Sequence, residues 1–326
     1  MGDSDHTHAA ALSWTMLGLF GTVTVVALAL LGVRPALSNV TLLPILIALA
    51  LVAYHRLVRP IPMIAGGMQS FLQFMLIMMF GMFLSFAAAA SGFPYRDSLL
   101  LGIDRALGFD WFAYARWVDS HPMLVILYRF AYGSFLVQPL VLVFLLVMQR
   151  ELRRLHLFTF AFALSLFVAC MVFVFVPAVS VYAGLQVPLD QFDNLKPVST
   201  FEHIKFIEAM RHGTLATLNP AEGAGLITFP SFHSCGAVLL IWGFWGVRFA
   251  RIPALLLNLT MLASTPIDGA HYLVDVIGGV SLAVAVLGLT LALERGGAGA
   301  HLVRLLPAFA PNRATARRRP VADPGI

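Results

Sequence analysis

An all-α, polytopic membrane bundle of about eight transmembrane helices is the fold that the sequence predicts, on three observations. Hydrophobic residues make up 60% of the 326-residue chain and charged residues only 11%, whereas a soluble domain carries about 25% charged residues. A surface built from this composition cannot mostly face water. Several apolar stretches reach the roughly 20 residues that a helix needs to cross a bilayer. The arginines, finally, gather in alternate loops, the asymmetry that membrane topology imposes on a chain.

The first crossing is expected over 14–33, closed by Arg34-Pro35. The preceding residues 1–8 carry two aspartates and no Lys or Arg. They lack the basic start of a signal peptide, so the first apolar run is expected to stay as a helix. Residues 39–58 form the second crossing and run into His55, Arg56 and Arg59. Pro60 and Pro62 make the break, Gly66-Gly67 opens the third crossing, and the alanine run at 87–90 ends it. This N-terminal part, 1–90, has no ionisable group inside its crossings except His55 near an end, so helix packing is its expected role.

Residues 91–122 change character. Arg96, Asp97, Asp104, Arg105, Asp110, Arg116 and Asp119 alternate with aromatic and aliphatic side chains. That mixture predicts amphipathic helices lying in the membrane interface. The competing reading, a stacking platform for nucleic acid, needs basic residues on one continuous face, and no such face is present. The net charge of +5 comes from loops and tail. The expected partner is therefore the bilayer and not nucleic acid.

A third region, 123–293, holds the remaining crossings. The fourth starts at His121-Pro122, ends near Met148, and carries Tyr128, Arg129, Tyr132, Ser134 and Gln138, an unusual polar load. Arg129 either snorkels to the interface or turns inward to meet an anion. The fifth spans 157–176 and stops at Pro177. Roughly 50 residues of less apolar sequence follow, and long loops of this kind are usually functional or disordered. Within them 200–218 is helix-like, with His203, Lys205, Arg211 and His212 as possible anion contacts. The sixth, seventh and eighth crossings are expected over 233–249, 252–265 and 271–293. The seventh is short enough to end inside a cavity. Residues 294–326 form a basic tail with Arg317-Arg318-Arg319. Cys170 and Cys235 both lie in apolar runs and read as small buried hydrophobes.

Arg56, Arg59, Arg150, Arg153, Arg154, Arg248, Arg251 and the tail fall on one side of an eight-helix count. That side is expected to be cytoplasmic, with both termini on it. The loops holding His233, His271, Arg211 and segment 91–122 then share the outward side.

Two stretches there carry chemistry, Phe229-Pro230-Ser231-Phe232-His233-Ser234 and Gly269-Ala270-His271-Tyr272-Leu273-Val274-Asp275. Each opens an apolar run. His271 and Asp275, at i and i+4, lie on one helix face, so the carboxylate can fix the tautomer and orientation of the imidazole. That arrangement prepares His271 as a nucleophile and lets His233 protonate a leaving oxygen. Phosphoryl transfer fits such a site, because it needs chiefly positioning and positive charge. Pro230 and Ser231 suit a turn into a helix, where the Ser231 hydroxyl and the first backbone amides can bind an anion, with Arg211 as a candidate cation. A zinc site built from His233, His271 and Asp275 is a rival reading, although no HExxH or Cys/His pair accompanies it. An anion- or lipid-binding transporter using the same polar cluster is another, although the two halves show no repeat.

At these residues the sequence resembles the PAP2 superfamily, the type 2 phosphatidic acid phosphatases. Phe-Pro-Ser-Phe-His at 229–233 and His-Tyr-Leu-Val-Asp at 271–275 look like its second and third motifs. Thr228 ahead of the first stretch, and Ser264-Thr265-Pro266 leading to His271-Tyr272, are closer to the inositol phosphorylceramide synthase-like branch. The resemblance covers roughly 200–290 and, more loosely, Leu107-Gly108-Phe109-Asp110-Trp111. It implies a PAP2-like core in the C-terminal half, with His271 as the nucleophile that forms a phosphohistidine, Asp275 as its partner and His233 as the acid. It also implies a lipid-phosphate substrate, an alcohol, a lipid or water as acceptor, and no metal or other cofactor. The family's arginine six residues before the third-motif histidine is Thr265 here, and its first motif is absent, since Lys205 and Arg211 are six apart with no proline following. Arg211 and Arg129 are then the cations expected to compensate. Hydrolysis and transfer to an alcohol remain open, with the branch favouring transfer. The charge pattern and the resemblance together suggest a bacterial inner membrane with the site on the periplasmic side.

Overall fold

The computed structural model describes residues 3–197, 201, 203–219 and 225–297. The basic arginine tail, and Thr200 at the start of the helix expected over 200–218, lie outside the described residues. The protein is 76% helical. Its helices are α1 (Asp3–Leu31), α2 (Asn39–Leu57), α3 (Pro62–Ala89), α4 (Asp97–Ala106), α5 (Trp111–Asp119), α6 (Pro122–Gly133), α7 (Gln138–Met148), α8 (Leu152–Phe175), α9 (Val181–Gly184), α10 (Ile204–Arg211), α11 (Phe232–Phe244), α12 (Arg251–Asp268) and α13 (Leu273–Arg295). Among the described residues six helices are long and apolar enough to cross a membrane, or seven if α6 and α7 form one bent span.

The count of about eight crossings depends on α11, which is shorter than the sequence predicts. It has 13 residues, about 20 Å of helix, against a hydrocarbon core of about 30 Å. The stretch expected to continue it to residue 249 turns at Trp245 and becomes a short 3-10 segment, Arg248–Ala250. Conversely, α12, expected to be the short crossing, runs on through Pro266 to Asp268 and has 18 residues. The proline costs one backbone bond in a last turn that is otherwise buried. The first helix also starts earlier than expected, at Asp3. No proline or glycine interrupts 3–14, and Ala9-Ala10-Ala11 are strong helix formers.

Prolines set several of the helix starts, as fixed φ and a missing amide favour the first turn. Pro62 and Pro122 occupy this place in α3 and α6, and Pro139 lies in the first turn of α7. The fourth crossing bends by 60° between α6 and α7. Its polar residues hold the bend. Ser134 Oγ donates to the Ala131 carbonyl and accepts from Gln138 Nε2, and Gln138 Oε1 accepts from Asn258 of α12 at 2.7 Å.

The core gathers on α8, whose buried Phe158, Phe162, Leu166 and Ala169 pack against α1, α3, α11 and α13. By contrast α2 leaves most of its apolar surface exposed, with Val40 and Leu57 about four-fifths open, as a helix facing lipid does. At one end of the bundle the loops meet. Arg34-Pro35 pairs in a two-residue parallel ladder with Thr217-Leu218, the Arg96 amide bonds the Pro177 carbonyl, and the Val181 amide bonds the Ala270 carbonyl. Histidine 271 follows directly, so the candidate site sits at this end.

Candidate active site

The two motifs are held together by their backbones. Ser231 ends the loop into α11 and donates its amide to the Asp275 carbonyl in the first turn of α13, at 3.0 Å. Gly279, one turn further along α13, permits this approach: a Cβ there would stand 2.2 Å from the Ser231 carbonyl oxygen and 2.9 Å from Ser234 Cβ. The Ser231 hydroxyl accepts from the Ser234 amide at 3.3 Å and from its hydroxyl at 3.2 Å. It is fully buried, so the structure makes this hydroxyl the cap of α11 and not an open anion contact.

His271 lies ahead of α13, one residue before the cap Tyr272, and not on the helix face shared with Asp275 that the spacing predicts. Its Nδ1 still lies 3.1 Å from Asp275 Oδ2 of the first turn, and both side chains are buried. The same oxygen accepts the Tyr272 amide at 2.9 Å. The carboxylate thus caps the helix and grips the imidazole at once, leaving His271 Nε2 as the nitrogen that Asp275 does not engage. Asp275 Oδ1 has no hydrogen-bond partner among the described residues.

His233, the second residue of α11, stacks on Tyr132 of α6, with ring centroids 4.0 Å apart and planes 16° from parallel. Its Nδ1 stands 3.1 Å from the Tyr132 hydroxyl. Phe135 also lies against this imidazole, with ring centroids 4.5 Å apart. Gly269 relates the two histidines: a Cβ at this position would lie 2.7 Å from His271 Cδ2 and 2.8 Å from the Tyr132 hydroxyl. The edge of His271 and the phenol that contacts His233 therefore converge on one point.

Three acidic residues that the sequence did not single out for the site fix its loops. Asp104 of α4 accepts the amides of Leu273 and Val274, both at 2.8 Å. Burial raises its pKa above the usual carboxylate value, an effect opposed by these two amides. Asp97 accepts from the amides of Val179 and Ser180 and from the Tyr272 hydroxyl at 3.0 Å. Burial, then the nearby Asp97 charge, raises the Tyr272 pKa, so the phenol stays protonated and donates. Asp119 accepts three successive amides, from Asp193 to Leu195. A capping aspartate on a neighbouring element is visible only in three dimensions, and nothing in the spacing of the chain announces it.

The two expected cations are engaged elsewhere. Arg211 stacks on Tyr95 at 3.8 Å and donates to the Phe93 carbonyl at 2.9 Å, within a cluster where Tyr95 donates to Glu208. Arg129 donates to the Lys196 carbonyl. None of these contacts joins either guanidinium to the histidines. His203, by contrast, comes near His271. It bonds the Val179 carbonyl through Nε2 at 2.7 Å, and burial first, with His271 adding to it, lowers its pKa.

Among the described residues no group of three or more His, Cys, Asp or Glu side chains is placed to hold a metal ion. A cavity of about 430 Å³ opens beside α4 and α5, lined by Leu101, Arg105, Phe109, Trp111 and Leu185 among others. No histidine lines it.

The Leu273 and Val274 amides at the start of α13 are taken up by Asp104 and that of the cap Tyr272 by Asp275, whereas those of Phe232 and His233 precede the first intrahelical bond of α11. The bundle thus carries a buried His-Asp pair and, in the first turn of α11, a second histidine. The PAP2 superfamily model matches residues 98–289, more than half of the chain, and the protein belongs to this superfamily. Membership supports a phosphatase or phosphotransferase acting on lipid phosphates in general. No curated protein and no solved structure matches the chain.

Proposed function

We propose that the protein transfers a phosphoryl or phosphodiester group from a lipid through a phosphohistidine on His271. The observation that carries this reading is the 3.1 Å contact between His271 Nδ1 and the buried Asp275 carboxylate. With its Nδ1–H held by Asp275, His271 directs the Nε2 lone pair at phosphorus, and the carboxylate steadies the imidazolium that forms. The oxyanions rest on the amides of Phe232 and His233, where the dipole of α11 favours negative charge. As the imidazolium, His233 gives its Nε2 proton to the leaving oxygen as the O–P bond breaks, and becomes neutral. In the second half it takes a proton from the acceptor, the new O–P bond forms, and the P–N bond returns its electron pair to His271.

Acceptors are water or an alcohol. The Thr-Phe-Pro-Ser-Phe-His wording at 228–233 and the Thr265 replacement favour transfer of a head group, as in the inositol phosphorylceramide synthase-like branch. The arginine asymmetry favours a bacterial inner membrane with the histidines on the periplasmic side. The amphipathic α4 and α5 then lie along the outer interface.

The test uses purified protein in liposomes, with EDTA, against a panel of phospholipids and prenyl or sphingolipid phosphates. Phosphate released without an alcohol, and lost in His271→Ala, identifies a phosphatase. A new phospholipid formed only with an alcohol present identifies a transferase. Activity that survives His271→Ala, or disappears with EDTA, overturns the mechanism.

A further inference from the structure

The polar load of the fourth crossing includes one side chain that neither motif accounts for. Tyr132 lies in the last turn of α6 just before the 60° bend, in a segment otherwise able to span the membrane. It is buried, and a buried phenol in such a place needs a partner for its hydroxyl. The partner is His233. The two rings are stacked at 4.0 Å and joined at 3.1 Å between the hydroxyl and Nδ1. Stacking fixes the plane of the imidazole, and the hydrogen bond fixes its rotation within that plane. Together they leave one orientation.

We infer that Tyr132 is the positioning residue of His233, doing for the acid what Asp275 does for the nucleophile. His233 Nδ1–H donates to the Tyr132 oxygen, so Nε2, the nitrogen turned away from Tyr132, carries the imidazolium proton that the leaving oxygen takes and the acceptor returns. A phenol suits this role and a carboxylate would not. It selects the tautomer without adding a negative charge that would repel an incoming phosphate. The bend between α6 and α7 is what brings Tyr132 and Phe135 onto the ring. The Ser134–Gln138–Asn258 bonds that hold the bend are therefore part of the acid's support. Gly269 serves the same arrangement, since any Cβ there would collide with both the Tyr132 hydroxyl and His271.

This inference rests on the phosphohistidine reading, and leaving-group chemistry separates the two. An alkoxide leaves poorly and needs the proton from His233, whereas para-nitrophenolate leaves without one. Turnover of dioctanoyl phosphatidate and of para-nitrophenyl phosphate is compared in wild type, Tyr132→Phe, His233→Ala, the double variant and His271→Ala. Tyr132→Phe keeps the ring and loses only the hydroxyl. It is expected to slow the phosphatidate reaction by about tenfold or more and the nitrophenyl reaction by less than about twofold. In the His233→Ala background Tyr132→Phe should have no further effect, because both changes remove one function. Equal loss on both substrates, no loss on either, or full additivity with His233→Ala overturns the role of Tyr132 while leaving the nucleophile intact. Where phosphatidate is not turned over, the lipid donor that the liposome panel identifies takes its place, and activity retained in His271→Ala overturns the phosphohistidine reading itself and the inference with it.

Discussion

The amide of Ser231 donates to the carbonyl of Asp275 at 3.0 Å, so the cap of one motif helix is tied to the first turn of the other. The tie joins residues 44 positions apart in the chain and sets the spacing of His233 from His271. It exists only because α11 and α13 touch at Gly279.

Gly279→Ala tests that contact. The new methyl would meet the Ser231 carbonyl at 2.2 Å, and backbone cannot yield as a side-chain tip can. Overpacking of this kind costs about 1–3 kcal/mol. Activity should fall much further, on the order of 10²-fold, because a shift of about 1 Å at reacting groups has that effect. Thermal unfolding in detergent and turnover by the same preparation measure the two losses. A variant as active as wild type would show that the helix separation does not set the site.

Asp104→Ala should loosen the loop that carries His271. Two amides, those of Leu273 and Val274, lose their acceptor, and removal of a cap of this type costs about 0.5–2 kcal/mol. The expected signature is a lower kcat with an unchanged yield of folded protein. Asp104→Asn, which keeps one acceptor oxygen, should fall between the alanine variant and wild type.

His203 gives the stability of the protein a pH dependence. Burial lowers its pKa in the folded state below the ordinary value of 6.5, so the unfolded chain binds a proton first as the pH drops. The stability held above about pH 6.5 is then lost as the pH falls towards the folded pKa. His203→Gln retains a donor for the Val179 carbonyl and removes the titration. Its melting temperature should fall less than that of wild type between about pH 7 and pH 5. Parallel pH profiles would contradict this assignment.

Composition and run length were enough to reveal a helical membrane bundle, since helices and closed barrels satisfy the backbone in lipid and continuous apolar runs of about 20 residues select helices. The contact of His271 with Asp275 was legible from their spacing and stands at 3.1 Å, although its cause is different: His271 lies outside α13, and Asp275 reaches it while capping the helix at Tyr272. The length of α11 was not legible. Apolar character continues past Phe244, and only packing against Arg154, whose guanidinium bonds the carbonyls of Trp242 and Gly243, shows where the helix stops. Arg211 looked like a phosphate ligand because charge is visible in a sequence while cation–π partners are not, and Tyr95 lies 116 residues away. Tyr132, Asp97 and Asp104 reach the site from separate elements. Their contribution follows from folding alone.

The most direct test of the phosphohistidine is chemical trapping. Wild type, His271→Ala and His233→Ala are mixed with dioctanoyl phosphatidate labelled in its phosphate, quenched rapidly in base, and assayed for protein-bound label that is stable to alkali and labile to acid. Label on wild type, mapped to the peptide containing His271 and absent from His271→Ala, is the predicted result. Label that persists in His271→Ala, or maps to another residue, would contradict it.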